Sequence, residues 1–241
     1  MEKIKELFHE TLSSLEIKDY VEKHDKPTVI LSLGSLEQHE HLPMGVDTIL
    51  ATRVATELSK KFGFLVAPTL PIGHSPEHVA PGVVWFKAET YLKVLGDFID
   101  SYLESGFKRI ILLNAHVGNK GLVNAMTLLY RRYAGDYEIA HIEIWDYIGK
   151  CFDAKNLKDY CIAENSLAFY LGLADKERLT AKFEKREFPA SKISPIVPWL
   201  TTDINGALIS TISDASKEIG RKVFECVIER ISIDIRNWIE K

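Results

Sequence analysis

The chain has 241 residues, 46% of them hydrophobic and 27% charged, with a formal net charge of -4. That balance describes a folded α/β-sized chain with a substantial core and excludes a nucleic-acid role built on surplus basic charge. No apolar run reaches the length needed to cross a bilayer, so neither a membrane nor a nucleic acid is an expected partner.

The segment from Met1 to His24 mixes Glu and Lys with Ile, Leu and Phe at helical spacing, unlike the uninterrupted apolar core of a signal peptide. Thr28-Val29-Ile30-Leu31-Ser32-Leu33 is short, β-branched and almost continuously apolar, the pattern of a buried parallel strand. A helix is predicted from Asp47 to Lys61, stopped by Gly63, and a second strand over Phe64-Leu65-Val66-Ala67-Pro68. A loop rich in Pro, Gly and His runs from Leu70 to Pro81, then a helix from Ala88 to Ser105 closed by Gly106. Arg109-Ile110-Ile111-Leu112-Leu113-Asn114 is a third buried strand, followed by a helix from about Gly121 to Tyr133. Glu138 to Tyr147 reads as another strand, Ala163 to Leu173 as a helix, and Asp214 to Glu240 as a long amphipathic helix. The segment from Glu184 to Gly206, with Pro189, Pro195, Pro198 and Trp199, reads as a loop. Strands alternating with helices imply a three-layer α/β fold over one domain, 1–241, with a mainly parallel sheet covered by helices on both faces. Ligands of such sheets sit beyond the carboxyl ends of the strands. The three cysteines, Cys151, Cys161 and Cys226, lack close metal-type spacing and are expected as reduced thiols of a cytoplasmic protein.

Chemistry concentrates in the turn after the first strand, Gly34-Ser35-Leu36-Glu37-Gln38-His39-Glu40-His41-Leu42-Pro43-Met44-Gly45-Val46-Asp47. Carboxylate oxygen and imidazole nitrogen together suit zinc, manganese or iron, and one carboxylate can bridge two ions. Asp47 is the candidate bridge; its alternative is a helix cap, which Asp supplies routinely. A second histidine, His116, follows the third strand in Leu112-Leu113-Asn114-Ala115-His116-Val117-Gly118-Asn119, so two strand ends can converge on one site.

These motifs resemble the creatininase (creatinine amidohydrolase-like) family of metal-dependent amidohydrolases. The resemblance rests on Gly34 to His39 with His41-Leu42-Pro43 and Asp47, on Asn114 to Asn119, and on Glu164-Asn165-Ser166. Weaker echoes are Glu77-His78 with Pro81-Gly82, Trp145-Asp146 at the end of a strand, and Ala215 to Gly220. It implies two divalent metal ions per subunit: Glu37, Asp47 and His116 on one, and His39, Asp47 and a further acidic residue on the other. In creatininase that residue is a glutamate two places after the second histidine, where this chain has Gly118; related members use the later Glu-Thr-Ser glutamate, which is Glu164 here. The residue-level alternative for Glu164 is a first-turn helix glutamate favoured by the macrodipole. Three departures follow. The loop around Glu40 is one residue shorter than usual, the general-acid histidine position holds Asp159, and a creatininase tryptophan aligns with Lys155.

The expected reaction is hydrolysis of a small amide or cyclic amide by a metal-activated water at a non-peptide carbon-nitrogen bond. The leaving amine needs a proton; His78, in a Gly- and Pro-rich loop, is the favoured donor, His41 the second, with Glu77, His74 and Asp159 also available. Family activities include creatinine hydrolysis, deformylation of a formylamino-pyrimidine ribonucleotide and trimming of a peptide-derived cofactor precursor. A single glutamine, Gln38, among abundant Lys and Glu fits a hot habitat and leans toward the nucleotide formamide. The alternatives are creatinine hydrolysis proper and a metal-binding family member without turnover. The resemblance also implies a homo-oligomer, commonly a hexamer.

Overall fold

The computed structural model describes residues 7–76, 78, 80–131, 136–174 and 207–240. The chain divides into two compact units, one of residues 1–37, 47–76 and 82–145, the other of residues 38–46, 77–81 and 146–241.

The first unit is built on a four-stranded parallel sheet ordered β2-β1-β3-β4, with β1 Thr28–Leu33, β2 Leu65–Val66, β3 Arg109–Asn114 and β4 Glu138–Glu143. Every residue of β1 is buried, as a central strand requires. The register sets Leu33 beside Asn114 and Asn114 beside Glu143, so three strands end level with one another. Helix α1 (Ser14–Lys23) starts on a capping box in which Ser13 and Glu16 satisfy each other's free backbone groups. Helix α2 (Val46–Phe62) follows β1, and α3 (Ala88–Glu104) places Tyr91, Leu95, Ile99 and Tyr102 on one stripe. That stripe packs with Val29, Leu31, Leu33, Ile110 and Leu112 of the sheet and with Val123 and Met126 of α4 (Lys120–Arg131). Each such fully buried aliphatic side chain contributes roughly 1.5–3 kcal/mol relative to exposure. The fold is the α/β class expected, a parallel sheet flanked by helices.

β4 ends at Glu143, where α5 (Ile144–Phe152) begins at once, so the strand expected to continue to Tyr147 is shorter. Trp145 and Asp146 therefore stand in the first turn of a helix; nine residues rich in Ile, Trp and Tyr gave too short a period to separate from a strand.

In the second unit α6 (Leu157–Tyr170) packs on α8 (Lys217–Ile239), with the short α7 (Ala207–Ser210) between them in sequence. Gly220 makes this possible: a Cβ there would fall inside contact distance of the Ser166 carbonyl and 2.9 Å from the Tyr170 Cβ. Beyond it the rings of Tyr170 and Phe224 lie 5.5 Å apart. α6 starts six residues earlier than expected, on a capping box made by Asn156 and Asp159. Glu164 consequently lies two turns into α6, which corrects the reading of it as a first-turn dipole partner.

The thiol expectation is also corrected. Cys151 of α5 and Cys226 of α8 form a disulfide with their Cα atoms 5.9 Å apart, leaving Cys161 buried and free. A separation of 75 residues gives no spacing signal, and the cytoplasmic inference loses the support it drew from reduced thiols. Among the described residues no helix is long and apolar enough to cross a membrane. The expected loop from Glu184 to Gly206 and Trp199 lie outside the described residues.

Candidate metal centre

The site in the first unit is assembled at the level ends of β1 and β3. Four residues past β1, Glu37 is 4% exposed; in the first turn of α2, Asp47 is 3% exposed; two residues past β3, His116 is 3% exposed. Their potential ligand atoms all lie within 4.8 Å of one another. His116 Nδ1 is 3.3 Å from Glu37 Oε1 and 3.2 Å from Asp47 Oδ2.

The surrounding polar groups fix these orientations. Ser35, fully buried, donates its hydroxyl to Asp47 Oδ2 at 2.8 Å, while Thr48 donates to the Ser35 carbonyl at 2.9 Å. The far side of the His116 ring meets the His74 carbonyl at 3.1 Å and Ser75 Oγ at 3.0 Å through Nε2. A carbonyl accepts only, so Nε2 carries the ring hydrogen and Nδ1 turns a lone pair toward two carboxylates. Three acceptors facing one point repel unless a cation lies among them, either a proton or a metal ion. Burial alone would lower the His116 pKa, yet the charges and hydrogen bonds of Glu37 and Asp47 outweigh it and hold the value well above the ordinary histidine range. Donor chemistry and burial together fit a divalent ion, and a ligating histidine that gives its other N–H to a backbone carbonyl is the usual arrangement at such sites.

Gly118 follows from the same packing. A Cβ at this position would stand 2.5 Å from the His74 carbonyl oxygen and closer still to His116 Nε2, so no glutamate fits here without moving the His74 loop. His74, a candidate proton donor by sequence, is committed to this support: its amide binds Asn119 Oδ1 and its ring binds the Phe86 carbonyl, each by one hydrogen bond.

In the second unit His39 Nε2 lies 3.4 Å from Glu164 Oε1, which pairs two of the expected ligands across 125 positions of sequence. The shortened loop is a tight turn: Leu42 N donates to the His39 carbonyl at 2.8 Å, with Glu40 in the left-handed region at φ 52. Glu40 is held there by accepting the Ile209 N–H at 2.8 Å. His41 is buried, its Nε2 2.8 Å from Asn165 Oδ1. Asn165 spends its amide hydrogens on the Leu208 carbonyl and Thr211, so its oxygen must face His41, which places the ring hydrogen on His41 Nε2. Burial lowers the His41 pKa, against the Asn165 hydrogen bond that raises it, so this ring presents a neutral acceptor at Nδ1. His78 differs: Nδ1 lies 3.3 Å from the Gln38 amide nitrogen and accepts from it, leaving the hydrogen on Nε2. Asp159 is turned to its own helix, accepting from Lys155 N at 2.7 Å and Asn156 N at 3.2 Å. Glu77 lies outside the described residues.

The supporting residues Ser35, Ser75 and Asn119 had no role in the sequence reading. Ser35 and Asn119 stand inside the two motifs, so their positions were visible and their tasks were not; Ser75 carries no local signal.

A buried carboxylate and imidazole cluster at the carboxyl ends of a parallel sheet defines the class of metal-dependent α/β hydrolases. The family model for creatininase, creatinine amidohydrolase, matches residues 10–234, and the chain belongs to that family. Its members include hydrolases acting on carbon-nitrogen bonds other than peptide bonds, creatinine amidohydrolase among them. The chain is 28% identical over 232 residues to creatinine amidohydrolase of Pseudomonas putida, covering 86% of this chain and 88% of that one. Over 119 residues it is 33% identical to 3-dehydro-scyllo-inosose hydrolase of Thermotoga maritima, covering 48% of this chain and 38% of the relative. Among solved structures it is similar to a manganese creatininase at a TM-score of 0.79 and 24% identity, covering 97% and 98% of the two chains. A mutant creatininase of Zn-Zn type matches at 0.77 and 26% identity, with the same coverage.

Proposed function

We propose that this chain is a metal-dependent amidohydrolase that cleaves a non-peptide carbon-nitrogen bond of a small amide or cyclic amide. The observation that carries the reading is the His116 ring: its Nδ1 faces two buried carboxylates while its Nε2 is fastened to a backbone carbonyl. Glu37, Asp47 and His116 would hold one ion, and His39 and Glu164 would belong to a second, with Asp47 shared between them as the resemblance implies. When bound, such ions, zinc, manganese or iron, supply a nucleophile of hydroxide strength at neutral pH and polarise the scissile carbonyl.

The remaining tasks fall to the chain itself. Ser35 holds Asp47 against rotation, and His74 and Ser75 hold the His116 ring. His78 carries a hydrogen on Nε2 and donates it to the departing amine; His41, with its acceptor nitrogen at Nδ1, suits orienting substrate or water better than donating a proton. Among substrates, creatinine is disfavoured by Asp159 and Lys155, which stand where creatininase carries its acid histidine and a tryptophan and are engaged with each other at the start of α6. A formamide on a pyrimidine nucleotide remains the leading substrate class. The same Asp159 geometry favours one second reading, a family member that binds metal and does not turn over. Assembly into a homo-oligomer, a hexamer by family resemblance, completes the proposal.

Metal analysis of the purified chain followed by an amide and formamide panel, with and without chelator, tests it. Chelator-sensitive hydrolysis is expected. Bound metal with no hydrolysis of any amide favours the second reading, and absence of metal contradicts both.

A further inference from the structure

Behind the metal centre of the first unit lies a titratable group that the mechanism does not use. Glu143, the last residue of β4, is 5% exposed. Its Oε2 accepts a hydrogen bond from Asn114 Nδ2 at 2.7 Å. The same Nδ2 donates to the His116 carbonyl at 2.7 Å, while Asn114 Oδ1 receives the His116 N–H at 3.3 Å and an amide hydrogen of Asn119 at 3.2 Å. Asn114 therefore clasps both backbone groups of His116, and only one orientation of its amide does so. A flip of that amide would set Oδ1 against both the His116 carbonyl and Glu143 Oε2, so an acceptor at position 143 adds to the hold that the His116 backbone exerts and anchors the amide from the side away from it. Oε1 and the Tyr91 hydroxyl are both buried without a hydrogen-bond partner among the described residues, and burial, with the Glu143 charge adding to it, raises the Tyr91 pKa. His141 Nε2 stands 3.7 Å from Oε2, its other nitrogen bound to Asn124 Oδ1 at 2.7 Å. A buried carboxylate with one oxygen unpaired costs stability.

We infer that Glu143 is a positioning residue for the metal centre: its carboxylate locks the Asn114 amide, which in turn fixes the His116 backbone so that Nδ1 faces Glu37 and Asp47. The inference rests on the reading of Glu37, Asp47 and His116 as metal ligands and extends that site by two residues into the sheet.

The test measures zinc affinity by competition with a chromophoric chelator, on full-length protein whose fold is checked by circular dichroism. Glu143→Leu removes the acceptor and is expected to weaken binding about 10- to 100-fold, the range for residues that orient metal ligands. Glu143→Gln keeps an acceptor oxygen and is expected to retain affinity within roughly 3-fold on that same scale. The cobalt-loaded visible spectrum should shift in the Leu variant and not in the Gln variant. Native zinc affinity in folded Glu143→Leu overturns the inference. Should that variant fail to fold, Glu143→Met, closer to glutamate in length and shape and equally without an acceptor oxygen, decides instead: weakened zinc binding supports the inference and native affinity overturns it. Wild type that binds no zinc refutes the metal reading itself, a separate failure.

Discussion

His116 Nε2 lies 3.1 Å from the His74 carbonyl oxygen, and this contact decides what the opposite edge of the ring can do. With its hydrogen committed there, the ring offers Glu37 and Asp47 a lone pair, and the three groups cohere only around a cation.

A pH dependence follows. In metal-free protein the cation is a proton, and the folded pKa of His116 is raised by the two carboxylates above its unfolded value of about 6.5. Stability from this pairing is fully present below the unfolded value and is lost as pH rises through the raised folded one. The melting temperature of chelator-treated protein should therefore decline from pH 6 upward through that window. Metal must displace the proton, so zinc binding should tighten with rising pH and release protons, measurable by calorimetry in buffers of different ionisation enthalpy. A melting temperature independent of both pH and metal contradicts this.

Gly118 should not tolerate a side chain. The clash of a Cβ with the His74 carbonyl and the His116 ring predicts a loss of about 1–3 kcal/mol for Gly118→Ala, in the range of overpacked sites. Urea unfolding checks the stability and plasma emission spectroscopy the metal content. Gly118→Glu, which copies the creatininase ligand, should lose metal rather than gain it.

Under the proposed function, in which two ions would share the Asp47 carboxylate, Asp47→Asn should bring metal content to near none. Retention of full occupancy, read by the same elemental analysis, removes Asp47 as the bridge.

His78→Ala should leave metal content unchanged and lower kcat about 10²- to 10⁴-fold, the span for a general acid. An equal loss of metal and rate would place His78 among the ligands instead.

The sheet and the site centre were readable because each has a local signature. β1 and β3 are continuous apolar runs whose bounds in the structure, Thr28–Leu33 and Arg109–Asn114, agree with the pattern; Glu37 and His116 follow strand ends where α/β sheets bind ligands, and Asp47 opens the next helix. The early start of α6 has a local signal in Asn156 and Asp159, a capping pair three residues apart. The Cys151–Cys226 disulfide and the Glu143–Asn114 contact had no such signature. Each joins residues from separate elements, and only the fold's register brings them together.

The central claim is a cation held by Glu37, Asp47 and His116 Nδ1, and anomalous diffraction from crystals grown with zinc, collected at its absorption edge, tests it most directly. The account predicts a peak about 2.0–2.2 Å from one oxygen of each carboxylate and from Nδ1. An edge map without density there, with His116 Nδ1 turned away from Glu37, would contradict it.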